Sequence, residues 1–185
     1  MKIIDAHLHL FPAGPETDAR VRGVGHENST DHLKRCYEQL GVCCGIVMGN
    51  GSLEPKCHEH PEPFRYCIGL DRRLWDGAAL PEGALELVEE NLRCPKCVGV
   101  KLYPGYLDTK VSDPVYAPVY ELARSYGKPV AIHMGMTAMA RAKLKYSHPL
   151  TLDEVAADWP EVQFVMCHFG NPFLADAAAV LEKNP

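Results

Sequence analysis

The sequence predicts a parallel α/β protein of the (β/α)-barrel type, incomplete, with about six of the eight βα units that close a barrel. Three observations predict it. Short apolar runs alternate with segments of helical period, which is the pattern of a parallel sheet with helical crossovers. The glycine fingerprint G-x-G-x-x-G, which would favour an open dinucleotide-binding sheet, does not follow the first run. Histidines stand instead where the strands end.

The elements follow in order. Lys2 to His9 reads as the first strand, and a loop rich in Gly and Pro runs from Phe11 to about Asn28. Thr30 to Leu40 is helical, with Leu33, Cys36, Tyr37 and Leu40 at i, i+3, i+4, i+7 and Gly41 as its stop. Val42 to Met48 and Phe64 to Leu70 are the second and third strands. Pro81 to Arg93 is a helix with Leu85, Val88 and Leu92 on one face. Cys97 to Leu102 is the fourth strand, a helix follows from about Ala117 to Tyr126, and Pro129 to His133 is the fifth strand. Thr151-Leu152-Asp153-Glu154 has the pattern of a capping box and opens a helix that Pro160 ends. Val162 to His168 is the sixth strand. Asn171 then reads as an N-cap with Pro172 behind it, and an Ala-rich helix runs toward Asn184.

Composition limits the function classes. The 185 residues form a single predicted domain, 1–185, and an apolar fraction of 46% excludes intrinsic disorder. A formal charge of −5 offers nothing to nucleic acid or to an anionic membrane. No apolar run approaches the ~20 residues that span a bilayer, and Met1 to His7 lacks a signal-peptide core, so a cytoplasmic location is expected. The eight Cys therefore read as thiols. Cys94-Pro95-Lys96-Cys97 has no second pair at zinc-ribbon spacing, so Cys97 is expected to begin a strand, with Cys94 in the loop before it.

The chemistry lies in the strand-end histidines. His7 and His9 are two apart, so a regular strand puts both on one face about 7 Å apart, with Asp5 on the same face. His133 and His168 end two later strands, and Lys101 stands near the end of the fourth. In a (β/α) barrel that end carries the active site. Several imidazoles there could hold one metal ion, which lowers the pKa of its water to roughly 7 and polarises a carbonyl oxygen. His58 and His60, in a Pro-rich stretch before the third strand, read as surface loop. His26, His32 and His148 take structural roles by default, and Trp75 and Trp159 read as packing residues.

Four segments carry a resemblance to a known family. They are Ile4-Asp5-Ala6-His7-Leu8-His9, Gly99-Val100-Lys101-Leu102-Tyr103-Pro104, Val130-Ala131-Ile132-His133-Met134-Gly135, and Val165-Met166-Cys167-His168-Phe169-Gly170-Asn171-Pro172. With the stretch His148 to Glu154 followed by Trp159-Pro160, they resemble the amidohydrolase superfamily. The branch is that of the amidohydrolase-related TIM-barrel metal-dependent hydrolases, which also holds metal-dependent aryl-acid decarboxylases and lactone hydrolases. The resemblance covers essentially the whole chain.

The resemblance implies that His7, His9 and His133 ligate a divalent metal, with Zn first and Mn, Fe and Co also compatible. It implies that His168 is catalytic, positioning or deprotonating the metal's water or polarising the substrate. Relatives with two metals carbamylate a lysine on the fourth strand. Here Lys101 is expected to stay an ammonium that meets an anionic substrate group, with Tyr103 and Tyr106 lining the pocket. Arg141 and Lys143 either meet a substrate carboxylate or form, with Lys145, a solvated basic surface. The family's metal-site Asp, at the end of an eighth strand, has no matching position, and Asp5, Asp71 and Asp176 do not match its motif.

The implied activity is hydrolysis of a C–O or C–N bond, as in a lactone, ester or amide, of a small carboxylated substrate through a metal-activated water. One alternative is a metal-dependent non-oxidative decarboxylase on the same scaffold. Another is an inactive truncated barrel, because a (β/α)₈ domain typically has about 250 residues. A metal phosphoesterase of the histidinol-phosphatase type is disfavoured by His168-Phe169-Gly170-Asn171-Pro172. An open barrel exposes strand edges, so a homo-oligomer covering them is expected, as is weaker metal binding than in a complete barrel.

Overall fold

The computed structural model describes residues 2–11 and 14–185. Six strands form one sheet in sequential order, every neighbouring pair parallel, curled into a half-barrel. They are β1 (Ile3–Leu8), β2 (Val42–Gly49), β3 (Phe64–Leu70), β4 (Cys97–Leu102), β5 (Val130–His133) and β6 (Phe164–Cys167). Sequential order is the barrel signature, since a doubly wound sheet reverses direction. The helices are α1 (Pro15–Gly23), α2 (Thr30–Leu40), α3 (Ala84–Arg93), α4 (Ala117–Ser125), α5 (Leu150–Asp158) and α6 (Leu174–Lys183). The β2–β3 crossover has only a 3-10 turn at Pro55–His58. No helix among the described residues is long and apolar enough to cross a membrane.

The core lies between the sheet and the outer helices. Ile68, Leu70, Val100, Leu102, Val130 and Ile132 of the three central strands are fully buried against Val88 and Leu92 of α3, Val119 and Ala123 of α4, and Val155 of α5. Strands covered on both faces read as continuous apolar runs, which is why these three were plain in the sequence. The two edge strands differ. Ile4 of β1 is 58% exposed and Val165 of β6 is 44% exposed. A closed barrel has no edges; this sheet has two.

Local chemistry sets the helix ends. Ser29 Oγ accepts the His32 N–H at 3.1 Å, and Gly41 ends α2 at φ 72°, a left-handed conformation that glycine adopts without strain. Cys97 begins β4 and Cys94 follows α3, as expected, and all eight cysteines are free thiols.

Four readings are corrected. The segment read as loop from Phe11 to Asn28 contains α1, opened by Pro15, with Glu16 and Asp18 in its first turn and Arg20 and Arg22 in its last. This helix buries no residue, so it has no apolar stripe to betray it. The capping box at Thr151 does not form. Thr151 Oγ1 donates to the His148 carbonyl, and Glu154 is drawn away to Lys110 and Ser112. Asn171 does not cap α6, which begins at Leu174. His58 is not a surface residue. It is 3% exposed, stacks on Tyr66 with ring centroids 5.1 Å apart, and its Nε2 lies 2.8 Å from the Ser52 carbonyl.

Asn91 ties the layers together. It is fully buried, accepts the Tyr66 hydroxyl at 2.9 Å, and donates to the carbonyls of Leu53 and Leu87, each at 2.7 Å. Asn91→Leu keeps the branched shape and heavy-atom count but leaves buried polar groups without partners. The expected loss is about 3 kcal/mol in urea unfolding at neutral pH. A loss below about 1 kcal/mol would show that these bonds do not secure α3.

Candidate active site at the carboxyl ends of the strands

Parallel pairing brings all six carboxyl ends to one rim, where four imidazoles meet. The Nε2 atoms of His7 and His9 lie 3.1 Å apart. The His168 ring centroid is 4.9 Å from that of His7 and 4.9 Å from that of His133. Asp5 does not share the imidazole face. Pairing with β2 shifts between Asp5 and Leu8, and this irregularity breaks the strand's alternation. Asp5 is instead held by Tyr37 of α2, whose hydroxyl donates to Oδ2 at 2.7 Å.

The loops after β5 and β6 are pressed together. Gly135, at φ 89°, packs so closely on the segment from Gly170 to Asn171 that a methyl group there would run into the Asn171 carbonyl. The Met136 N–H donates to that carbonyl at 2.7 Å. His168 and Phe169 both have positive φ, 61° and 48°, a strained conformation for residues other than glycine. Strain of this kind persists only where surrounding contacts impose it, and it gathers at functional sites.

Beneath the imidazoles lies Lys101. It is fully buried, its Nζ donates to Cys167 Sγ at 3.1 Å, and no carboxylate pairs with it among the described residues. Burial lowers its pKa. Burial first, and the Lys101 charge second, hold His7 down at about 4 and His133 at about 3. The same two causes lower His9 and His168. All four rings therefore favour the neutral, ligating form at pH 7, and one of the facing Nε2 atoms of His7 and His9 donates to the lone pair of the other. His133 Nε2 lies 3.1 Å from the Met136 carbonyl, a contact that requires a proton on Nε2.

These rings open on a cavity of 660 Å³, with Phe11, Tyr103, Tyr106 and Met136 among its apolar walls. Tyr103 donates to Asn50 Oδ1 at 2.6 Å, and the Tyr106 oxygen accepts the Ala138 N–H at 2.9 Å. Lys101 lies below the lining rather than in it. Arg141 faces a neighbouring cavity of 370 Å³. Lys143 lines neither cavity, because its ammonium is paired with Asp108.

The basic residue that does reach the cavity is Arg72, just past β3. It lines both cavities, its Nη1 lies 2.7 Å from Met139 Sδ, and no carboxylate pairs with it among the described residues. Beside it Asp71 is neutralised by Arg73, through Oδ2 at 2.9 Å. Asn50 past β2 and Asn171 past β6 also line the site. The strand-end rule that singled out the histidines points to Asn50 and Arg72 as well, but neither stands in a recognisable motif.

The donor set fits a divalent cation in chemistry: neutral imidazoles, two of them with their Nε2 atoms adjacent. His133 must give up the Met136 carbonyl to ligate through Nε2. Among the described residues, the only group of three metal-type ligand atoms all within 4.8 Å of one another lies elsewhere, at His26, His32 and Cys36.

Comparison with known proteins follows the same lines. The sequence profile described as amidohydrolase matches residues 4–185. None of the curated proteins matches the chain. A TIM-barrel protein of Bordetella bronchiseptica superposes with a TM-score of 0.75 at 22% identity, over 100% of this chain and 73% of that one. A probable 2-pyrone-4,6-dicarboxylic acid hydrolase of Acinetobacter baumannii, solved with citric acid bound, gives 0.58 at 14% identity, covering 97% of this chain and 66% of that one. A 5-carboxyvanillate decarboxylase of Sphingomonas paucimobilis gives 0.54 at 13% identity, over 90% and 62%. At these identities the likeness is one of fold.

The depressed imidazoles predict a pH dependence of stability. In the unfolded chain they take up protons near their ordinary value of 6.5, whereas folded His7 and His133 refuse them down to about 4 and 3. Without metal, stability is therefore complete above pH 6.5 and falls as the pH drops from there toward about 3. Urea midpoints across that range would record it, and His133→Asn should flatten the slope. A slope unchanged in His133→Asn would refute the assignment.

Proposed function

The chain belongs to the amidohydrolase family, and on that premise we propose that it is a metal-dependent hydrolase of a small carboxylated molecule. The bond cleaved is the C–O or C–N bond of a lactone, ester or amide. One observation carries the reading: four neutral imidazoles converge on a cavity whose rim holds an arginine with no acidic partner among the described residues.

His7, His9 and His133 would hold the cation. When bound, it supplies Lewis acidity, which activates water at neutral pH and polarises a carbonyl. The chain's own residues do the rest. His168 has its pKa lowered by burial and by Lys101, so a ring nitrogen is free to take a proton from the attacking water. The same nitrogen then returns that proton to the leaving oxygen or nitrogen. Arg72 accounts for a carboxylate, because its planar guanidinium can meet both oxygens at once. Tyr103, fixed by Asn50, and Tyr106 form walls that hold a flat substrate between the histidines and Arg72.

The aromatic walls Phe11, Tyr103 and Tyr106 also suit a planar aromatic acid. They favour the second reading, a non-oxidative decarboxylase on the same scaffold, in which no water attacks. Assay of metal-loaded protein on carboxylated lactones and amides, beside aromatic acids with CO₂ detection, separates the two. CO₂ release without hydrolysis would overturn the first reading.

Two substitutions test the roles. His168→Asn should lower kcat by about 100-fold or more while leaving metal content unchanged. Arg72→Met should raise KM for a carboxylated substrate by about 10- to 100-fold and spare an uncharged analogue. Equal effects on both substrates would remove Arg72 from carboxylate recognition.

A further inference from the structure

The segment between α1 and α2 brings a second set of ligand atoms together. His26 Nδ1 lies 2.9 Å from His32 Nε2, and Cys36 Sγ lies 3.5 Å from the same nitrogen. His26 is exposed, and the other two are half-buried. They line a cavity of 640 Å³ on the far side of His9 from the strand-end site. Each of the three is fixed by backbone. His32 and Cys36 stand one turn apart on α2, behind the Ser29 cap. His26 is anchored by its own N–H, which donates to the Val21 carbonyl at 3.0 Å, one turn back in α1. The side chain of Asn28 donates to Asp18 Oδ1 at 2.9 Å and ties the same loop to α1.

Helix spacing places Cys36 beside His32, but His26 arrives from a separate loop, and hydrogen bonding would have to share one His32 nitrogen between two partners. His32 Nε2 is a donor or an acceptor, not both, yet it faces two partners. A cation takes all three lone pairs at once. Tetrahedral zinc with ordinary bond lengths sets N···N at about 3.3 Å and N···S at about 3.6 Å; the His32–Cys36 spacing of 3.5 Å matches, and the imidazoles, 2.9 Å apart, need part only by a few tenths of an ångström. Two imidazoles and a thiolate are the borderline-soft set that zinc and its neighbours prefer over magnesium or calcium. We propose that His26, His32 and Cys36 bind a zinc-class divalent cation that ties the loop after α1 to α2. Cys36 loses its thiol proton to solvent on binding, and a water completes the fourth position. The site has a structural purpose, since α1 buries no residue and gains little from apolar contact.

Cobalt(II) titration of the full chain tests the site, because thiolate ligation gives a charge-transfer band in the near ultraviolet that imidazoles alone do not. The band is expected in the wild type and in His7→Ala/His9→Ala, and its loss is expected in Cys36→Ser. His26→Gln, an exposed loop change, should weaken cobalt at that band by about tenfold or more. Zinc should slow tryptic cleavage at Arg20 and Arg22 in the wild type but not in Cys36→Ser. Absence of the band, its persistence in Cys36→Ser, indifference to His26→Gln, or equal protection of both proteins would each overturn the proposal.

Discussion

Parallel pairing is the constraint on which the rest depends. A parallel strand cannot return by a tight turn, so every connection crosses over the sheet's outer face and re-enters from the same end. All six carboxyl ends then lie on one rim, and whatever residue follows a strand is delivered there. β1 brings His7 and His9, β2 brings Asn50, β3 brings Asp71 and Arg72, and β5 brings His133. β6 delivers His168 through a strained turn, held in place by Gly135 of the neighbouring loop. Residues far apart in sequence become one site because the backbone ladder allows no other arrangement of these ends.

Electrostatics then fixes the state of that site. Lys101 sits where the rings converge, fully buried and, among the described residues, with only Cys167 as its hydrogen-bond partner. Its charge and the loss of water act in the same direction on every imidazole above it, favouring the neutral form. Neutral rings are the ligating and proton-accepting form. Solvent-exposed histidines, by contrast, would carry protons at mildly acidic pH and would be poorer ligands. The buried amine pays in turn, since the same desolvation lowers its own affinity for a proton. For the imidazoles, burial is the larger cause and the Lys101 charge the second; no carboxylate among the described residues offsets that charge, which therefore also opposes a cation held by the rings.

What the sequence reveals and what it hides divide along physical lines. The central strands were legible because burial on both faces makes them apolar throughout. The histidines were legible because each ends a strand. Where long-range contacts override local pattern, the reading failed. A shift in β1 pairing turned Asp5 toward Tyr37, and no period-2 count could anticipate it. Lys110 and Ser112, forty residues away in sequence, took the carboxylate that would have closed the Thr151 capping box. Tyr66 stacked on His58, which the proline-rich stretch around it suggested was surface, whereas Lys143, left open between substrate contact and surface, pairs with Asp108 at the surface. Arg72 stands outside any motif and becomes visible only when its lack of an acidic partner is seen in three dimensions.

The two clusters of ligand atoms are not independent in the fold. His9 and Phe11 line both cavities, so one short stretch after β1 forms a wall between them. β1 is also an edge strand, exposed on its outer side and irregular in its pairing. An edge strand with few apolar contacts is held weakly, and the stretch that follows it inherits that freedom. The α1–α2 segment is the part of the chain that flanks this stretch, and α1 adds no buried residue to hold it. Whatever fixes that segment also narrows the positions open to His9. In the proposed metal set His9 stands beside His7, so the cation proposed at His26, His32 and Cys36 would steady one wall of the strand-end cavity without lending a residue to it.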